Sequence, residues 1–182
     1  MSPEQRVLAA VAALDAPAPV VLIDGPSGAG KSTLADALVA HWPGDRMPQL
    51  VRLDDLYPGW SGLEAGSRQV VDELLRPLRE HGTGRWRRWD WAAGRPAEWH
   101  EVTAAAPLVV EGCGALSRAA AACAELRVWL TADDEVRKAR ALARDRGAFD
   151  AHWEMWDRQF DEFVRAQHPI ALADLVIDQA AP

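Results

Sequence analysis

Apolar runs of strand length alternate along this chain with longer stretches in which apolar side chains recur every three or four residues. Short strands joined by helices of ten or more residues need crossover connections, so the pattern predicts an α/β domain with a largely parallel sheet. Five strands are predicted: Pro19–Asp24 (PVVLID), Gln49–Asp54 (QLVRLD), Pro107–Gly112 (PLVVEG), Glu125–Thr131 (ELRVWLT) and Asp174–Asp178 (DLVID). The first and third are the most apolar, which places them at the buried centre of the sheet. Helical periodicity covers about Pro3–Leu14, Lys31–His41, Ser67–Glu80, Ala115–Ala122, Asp133–Arg146 and Asp150–Gln167, with Thr131 or Asp133 as N-cap of the fifth. In the last helix Trp153, Trp156, Phe160 and Phe163 form the stripe of a helix packed on a core. The flanking His152 and His168 read as solvated or capping groups. Between Tyr57 and Ala106 the pattern is least regular, and tryptophan, glycine and proline interrupt it.

Composition narrows the class. A chain of 182 residues, 49% hydrophobic, is the size of one domain with a buried core, and no repeat or low-complexity linker divides residues 1–182. The net charge of -7, with a pI near 5.2, argues against a nucleic-acid partner, whose phosphates demand a basic surface. The N-terminal MSPEQRVLAAVAALDAPAP carries acids and prolines, so it reads as neither signal peptide nor membrane span, and a cytoplasmic protein with no membrane partner is expected. Cys113 and Cys123 lack metal-ligand spacing and are expected as small buried apolar side chains. The sequence carries no signal of oligomeric state.

The densest chemistry lies in VVLIDGPSGAGKSTLADAL, Val20–Leu38, where Gly25, Gly30, Lys31 and Ser32 satisfy G-x-x-x-x-G-K-[ST] between a strand and a helix. Glycines let several backbone N–H groups converge on one anion, and the helix N-terminus adds its dipole. Gly25, Ser27, Gly28, Ala29, Gly30, Lys31, Ser32 and Thr33 are therefore the expected nucleotide cradle, with Lys31 on the outer phosphates and Ser32 a ligand for Mg²⁺. Lysine is otherwise rare, with two lysines in a total of 20 Lys and Arg, yet one stands at this position.

Open α/β sheets carry their chemistry at the carboxyl ends of strands, which here read Asp54-Asp55 and Glu111-Gly112. Asp54 is the candidate general base, and Glu111 a candidate metal holder beside Ser32. Asp55 divides evenly between a role and a solvated turn. In DDEVRKARALARDRG, Arg137, Arg140 and Arg144 recur at three and four residues, a basic stripe suited to a lid over about residues 133–147, with Gly147 as its hinge or cap. Acidic neighbours in the same segment make a solvated, ion-paired helix the competing reading. Residues 57–106 are the expected acceptor-binding region. Within it, Trp86, Trp89, Trp91 and Trp99 read either as core cover or as a slot for a planar acceptor, with Asp90 accepting from its hydroxyls and Arg88 available to pair with Asp90.

Several of these pieces, in order, resemble the uridine kinase and phosphoribulokinase group of P-loop kinases: GPSGAGKST, DDLY at Asp54–Tyr57, VVEG, EVRKARALARDRG and FDEFVRAQHPIALADLVID. The resemblance implies a three-layer P-loop NTPase fold with a five-stranded parallel sheet of order 2-3-1-4-5, helices on both faces and a short arginine-bearing lid. It further implies ATP as donor, Mg²⁺ held by Ser32, Asp54 and Glu111, Asp54 as base, and Tyr57 in the pocket of a small-molecule acceptor such as uridine or cytidine. RWRRWDWAAGRPAEWHEV, Arg85–Val102, departs from the group's pattern where its nucleoside pocket lies. IDGPSGAGKST also resembles cytidylate kinase, for which Arg68, Arg85, Arg87, Arg88 and Arg95 would meet an acceptor phosphate. An antibiotic kinase of the chloramphenicol phosphotransferase type and an ATPase module acting with a partner stay open. A GTP switch is disfavoured, because its N-K-x-D motif needs asparagine and this chain has none.

Overall fold

In the computed structural model, which describes residues 1–144 and 147–179, the chain begins with α1 (Pro3–Ala12), β1 (Val20–Asp24), α2 (Lys31–Ala40) and β2 (Gln49–Arg52). It continues through α3 (Leu63–Gln69), α4 (Arg76–His81), β3 (Thr83–Asp90), β4 (Arg95–Thr103), β5 (Leu108–Glu111) and α5 (Arg118–Ala121). The last elements are β6 (Leu126–Thr131), α6 (Asp134–Arg144), α7 (Trp153–Gln167), α8 (Pro169–Leu172) and β7 (Leu175–Asp178). Asp145 and Arg146, within the predicted lid, and Ala180–Pro182 lie outside the described residues.

Five parallel strands form the central sheet in the order β2-β5-β1-β6-β7, which is 2-3-1-4-5 in the numbering of the five predicted strands. β1 and β5 are buried throughout, as their apolar runs required. Val21 pairs with Val109 on one side and Leu126 on the other, which fixes the register across the centre. One face packs on α1 and α2 through Val7, Val11, Leu34 and Leu38. The other packs on Leu74, Leu75, Trp156 and Phe160 from the helices that follow. The sheet is thus the middle of three layers, and its strands all end on the side where the phosphate loop begins.

Helix boundaries follow local chemistry. Ser2 and Gln5 close a reciprocal capping box on α1. Asp133 caps α6, its carboxylate accepting from the N–H of Glu135 at 3.0 Å and Val136 at 3.1 Å. His168, in a left-handed conformation at φ 53°, ends α7. Between α3 and α4 the helix continues as a π-helical turn over Val70–Leu75, just ahead of Pro77, whose missing N–H breaks the ordinary ladder.

The principal departure from expectation is the antiparallel hairpin β3–β4, in the segment expected to be irregular. Its alternation is present in the sequence: Gly84 and Trp86 face inward while Arg85 and Arg87 face out. Gly84 is required because a Cβ there would lie 2.2 Å from the Leu74 carbonyl oxygen. Trp86 stacks on His100 across the hairpin at 4.3 Å. Cys113 is buried as expected, but Cys123 is only half-buried. No helix among the described residues is long and apolar enough to cross a membrane.

Candidate active site

The loop from Gly25 to Gly30 turns sharply because its glycines take conformations closed to other residues. Gly28 has φ 80°, and a Cβ there would stand 1.9 Å from the Arg137 carbonyl oxygen, so the loop lies directly against α6. α2 starts at Lys31, immediately after the loop. The N–H groups of its first turn have no intrahelical partner and point toward the loop's concavity, a geometry that receives an anion. Lys31 is buried at its rim; its Nζ donates to the Pro26 carbonyl at 2.9 Å and lies 3.4 Å from Cys113 Sγ. Burial alone would lower the Lys31 pKa, but Cys113, Glu111, Asp24 and Asp54 around it hold it above its ordinary value.

Glu111, at the end of β5, is buried within reach of the Ser32 hydroxyl and 3.5 Å from Arg52 Nε. Burial raises its pKa, and the charge of Asp54 adds to the rise while Lys31 opposes it. The Ser32 hydroxyl and the carboxylates of Glu111 and Asp54 are all oxygen donors, the ligand type that suits Mg²⁺. Among the described residues no group of three or more His, Cys, Asp or Glu is gathered closely enough to hold a metal ion.

Asp24 was not singled out in the sequence, yet it holds the site together. Fully buried as the last residue of β1, it accepts from the N–H of Gly25 at 2.6 Å, Gly114 at 3.0 Å and Leu116 at 2.8 Å. It thus clamps the phosphate loop to the segment after β5. Burial raises its pKa from 3.8 to about 6, against the three backbone donors and Lys31.

A second recess, of about 330 Å³, adjoins the cradle. Asp54, in a short 3₁₀ turn over Leu53–Asp55 after β2, stands at its mouth with an exposed carboxylate 3.9 Å from Arg144 Nη2. The recess is walled by Tyr57, Trp60, Trp91, Phe149 and Trp156. Trp60 stacks on His152 at 4.5 Å and on Phe149 at 5.2 Å, and tilts against Trp91 at 4.9 Å. Tyr57 is buried in the wall; its hydroxyl donates to the Cys113 carbonyl at 2.8 Å, and its own pKa is pushed well up, first by burial and then by the acids nearby. Trp91 donates its indole N–H to the Asp54 carbonyl at 2.9 Å, which ties the hairpin tip to the turn. Asp55 is exposed, yet its pKa is raised, first by partial desolvation of its carboxyl and then by the adjacent Asp54.

The remaining predicted residues divide. Arg140 and Arg144 border a recess of about 190 Å³ over Gly28–Thr33, and Arg144 also borders the aromatic recess. Arg137 faces away from both: its guanidinium is bound to Asp134 at 2.7 Å and Asp157 at 2.9 Å and lies over the Trp153 ring, joining α6 to α7. Asp90 accepts from the Ala93 N–H at 2.9 Å and closes the hairpin turn, and Arg88 pairs with Glu98 through contacts of 2.6 Å and 3.1 Å. Neither of these two lines the aromatic recess. Trp60, Phe149 and Trp156, by contrast, line it without having been assigned to it, and His152 stacks on Trp60. The sequence signal lay in Trp60 three residues after Tyr57, and in Trp156 standing one turn after His152.

Comparison with known proteins bears on the fold. The profile of a protein family described as the AAA domain matches residues 21–162. Among solved structures, a possible uridine kinase from Bacillus stearothermophilus superposes with TM-score 0.67 at 17% identity, covering 96% of this chain and 97% of that one. A protein from Silicibacter sp. TM1040, described provisionally as a fructose transport system kinase, superposes with TM-score 0.62 at 18% identity, covering 97% and 99%. At these identities the likeness is one of fold, a P-loop kinase fold. A search of curated protein sequences finds no match.

Proposed function

The chain belongs to the AAA domain family, and from that premise we propose that it is an ATP-dependent small-molecule kinase acting on a hydroxyl of a neutral, planar acceptor, foremost a nucleoside such as uridine or cytidine. One observation carries the reading: an aromatic recess lined by Asp54 opens beside the phosphate cradle, and Arg144 borders both. Aromatic walls bind flat rings well, and the one carboxylate at the mouth is placed for a hydroxyl.

On this reading the first-turn N–H groups of α2 and Lys31 hold the donor's phosphates, and Lys31 leaves Pro26 to do so. Ser32, Glu111 and Asp54 would hold Mg²⁺, which would supply positive charge to offset that of the phosphoryl group. The acceptor's ring rests on Trp60 and Trp156 with its hydroxyl toward Asp54. Asp54 takes the hydroxyl proton as the oxygen bonds to the γ-phosphorus, and the bond from that phosphorus to the β–γ bridging oxygen breaks, releasing ADP. Arg140 and Arg144 offset the charge on the phosphoryl group in transit and help exclude water.

A nucleoside monophosphate acceptor fits less well. Arg68, Arg85 and Arg88 are paired with Glu64, Glu73 and Glu98, and Arg87 donates to the Ala97 carbonyl beside Trp99. None of these four borders the recess, so an acceptor phosphate would meet Arg144 without the fork of arginines it needs.

ADP release from MgATP, measured across nucleosides, nucleoside monophosphates, sugars and hydroxylated antibiotics, tests the proposal. A neutral hydroxylated class should stimulate release, and Asp54→Asn should cut the stimulated rate by roughly 10²- to 10⁴-fold while largely sparing nucleotide binding. A rate that no acceptor raises would favour an ATPase module acting with a partner. Full turnover by the variant would remove Asp54 from the base role.

A further inference from the structure

The Trp156 side chain joins the wall of the acceptor recess to the phosphate loop. Trp156 lines the recess with its ring, and its indole N–H donates at 3.0 Å to Oγ of Ser27, a phosphate-loop residue that borders the same recess. From Ser27 the contacts run on: its Oγ lies 3.4 Å from Cys113 Sγ, and that sulfur lies 3.4 Å from Lys31 Nζ. Trp156 is itself held firmly. It is buried, its ring meets Tyr57 edge-on at 4.7 Å and Trp60 at 6.5 Å, and one turn further along α7 the Gln159 side chain donates to the Trp60 carbonyl at 2.9 Å.

We infer that Trp156 is a positioning residue for the donor nucleotide: a side chain of the acceptor recess that, through Ser27, holds the phosphate loop in its nucleotide-binding shape. The inference rests on the kinase reading above, because it takes the loop as the donor site and the recess as the acceptor site. Two arguments give its sign. The loop's glycine conformations and its packing on the Arg137 carbonyl already set the cradle's curvature, so a bond that fixes Ser27 preserves a formed site. Breaking the bond would leave a largely buried indole N–H short of its acceptor, a cost that opposes its loss when a nucleotide enters. A ligand pressing on the Trp156 ring then bears on donor affinity, and by linkage the donor bears equally on the acceptor.

Equilibrium MgADP binding, measured by calorimetry on the full chain, tests this without any acceptor. Trp156→Phe keeps an aromatic wall and removes only the N–H. Ser27→Ala removes the acceptor oxygen and alters little else in volume. Each should raise the Kd for MgADP roughly three- to tenfold, the range expected for one hydrogen bond, and the double variant should be no weaker than the weaker single. A merely structural role would lower the fraction of molecules that bind, read as stoichiometry, and leave Kd unchanged. Should Trp156→Phe not fold, Ser27→Ala alone still reads the bond. Wild-type Kd in the single variants, or effects that multiply in the double, would overturn the inference. The kinase reading fails on different data, an absence of acceptor-stimulated ADP release, so the two failures are separable.

Discussion

Asp24 is a buried carboxylate whose burial and hydrogen bonds pull in opposite directions, and pH separates them. Burial raises its pKa from 3.8 to about 6, so between those values the folded state binds a proton that the unfolded chain has released. Stability from this group is therefore fully present below about pH 4 and lost as pH rises to about 6. The rise corresponds to roughly 3 kcal/mol, at about 1.36 kcal/mol per tenfold change in proton affinity. Asp24→Asn removes the titration. It also turns amide hydrogens toward one of the three N–H donors of Gly25, Gly114 and Leu116, at a cost of about 1–3 kcal/mol that does not vary with pH. Wild type should thus exceed the variant most at low pH, and the gap should narrow by about 3 kcal/mol between about pH 4 and pH 7. Urea unfolding of both proteins across that range measures it, since contributions from other groups cancel in the difference. Parallel stability curves would refute the reasoning, because Asp24 would then not titrate in the window. A gap that widened with pH would mean that the three backbone donors outweigh burial and hold the pKa below its ordinary value.

Two further outcomes follow from contacts in and beside the site. Gly28→Ala sets a Cβ against the backbone oxygen of Arg137, at a φ closed to alanine, and neither side has a flexible end to yield. It should cost at least about 2 kcal/mol in thermal unfolding and abolish MgADP binding by calorimetry; wild-type affinity would show that the loop does not depend on this packing. Asp90→Ala should loosen the hairpin turn by about 1 kcal/mol and leave the KM for the acceptor unchanged, whereas a large rise in acceptor KM would return Asp90 to the pocket.

What the sequence disclosed depended on whether the chemistry was local. The cradle was legible because a strand, a glycine-rich turn and a helix start are contiguous, and each residue's task there follows from its neighbours. The sheet order came with the resemblance, and the burial of β1 and β5 was written in their unbroken apolar runs. The hairpin escaped because its inward positions include a glycine, and its outward arginines sit beside tryptophans, so a period of two was hidden by side chains of ambiguous preference. Asp90 drew attention as a carboxylate between indoles, but the need it meets is a turn N–H three residues on. The arginine stripe was drawn from spacing alone, and spacing cannot say that Arg137 meets Asp157 from a helix that begins sixteen residues later.

The acceptor recess was the least legible part for the same reason: its walls come from the turn after β2, the hairpin tip, the segment after α6 and the face of α7. Trp156 belongs both to the core stripe that periodicity found and to this recess, because the end of α7 nearest the phosphate loop emerges from the core there. A helical period assigns a residue to one face, but it cannot tell that the face runs from buried core into a cleft. In a fold whose strand ends converge on one side, such residues are where core packing and chemistry meet, and Asp24 and Trp156 are two instances.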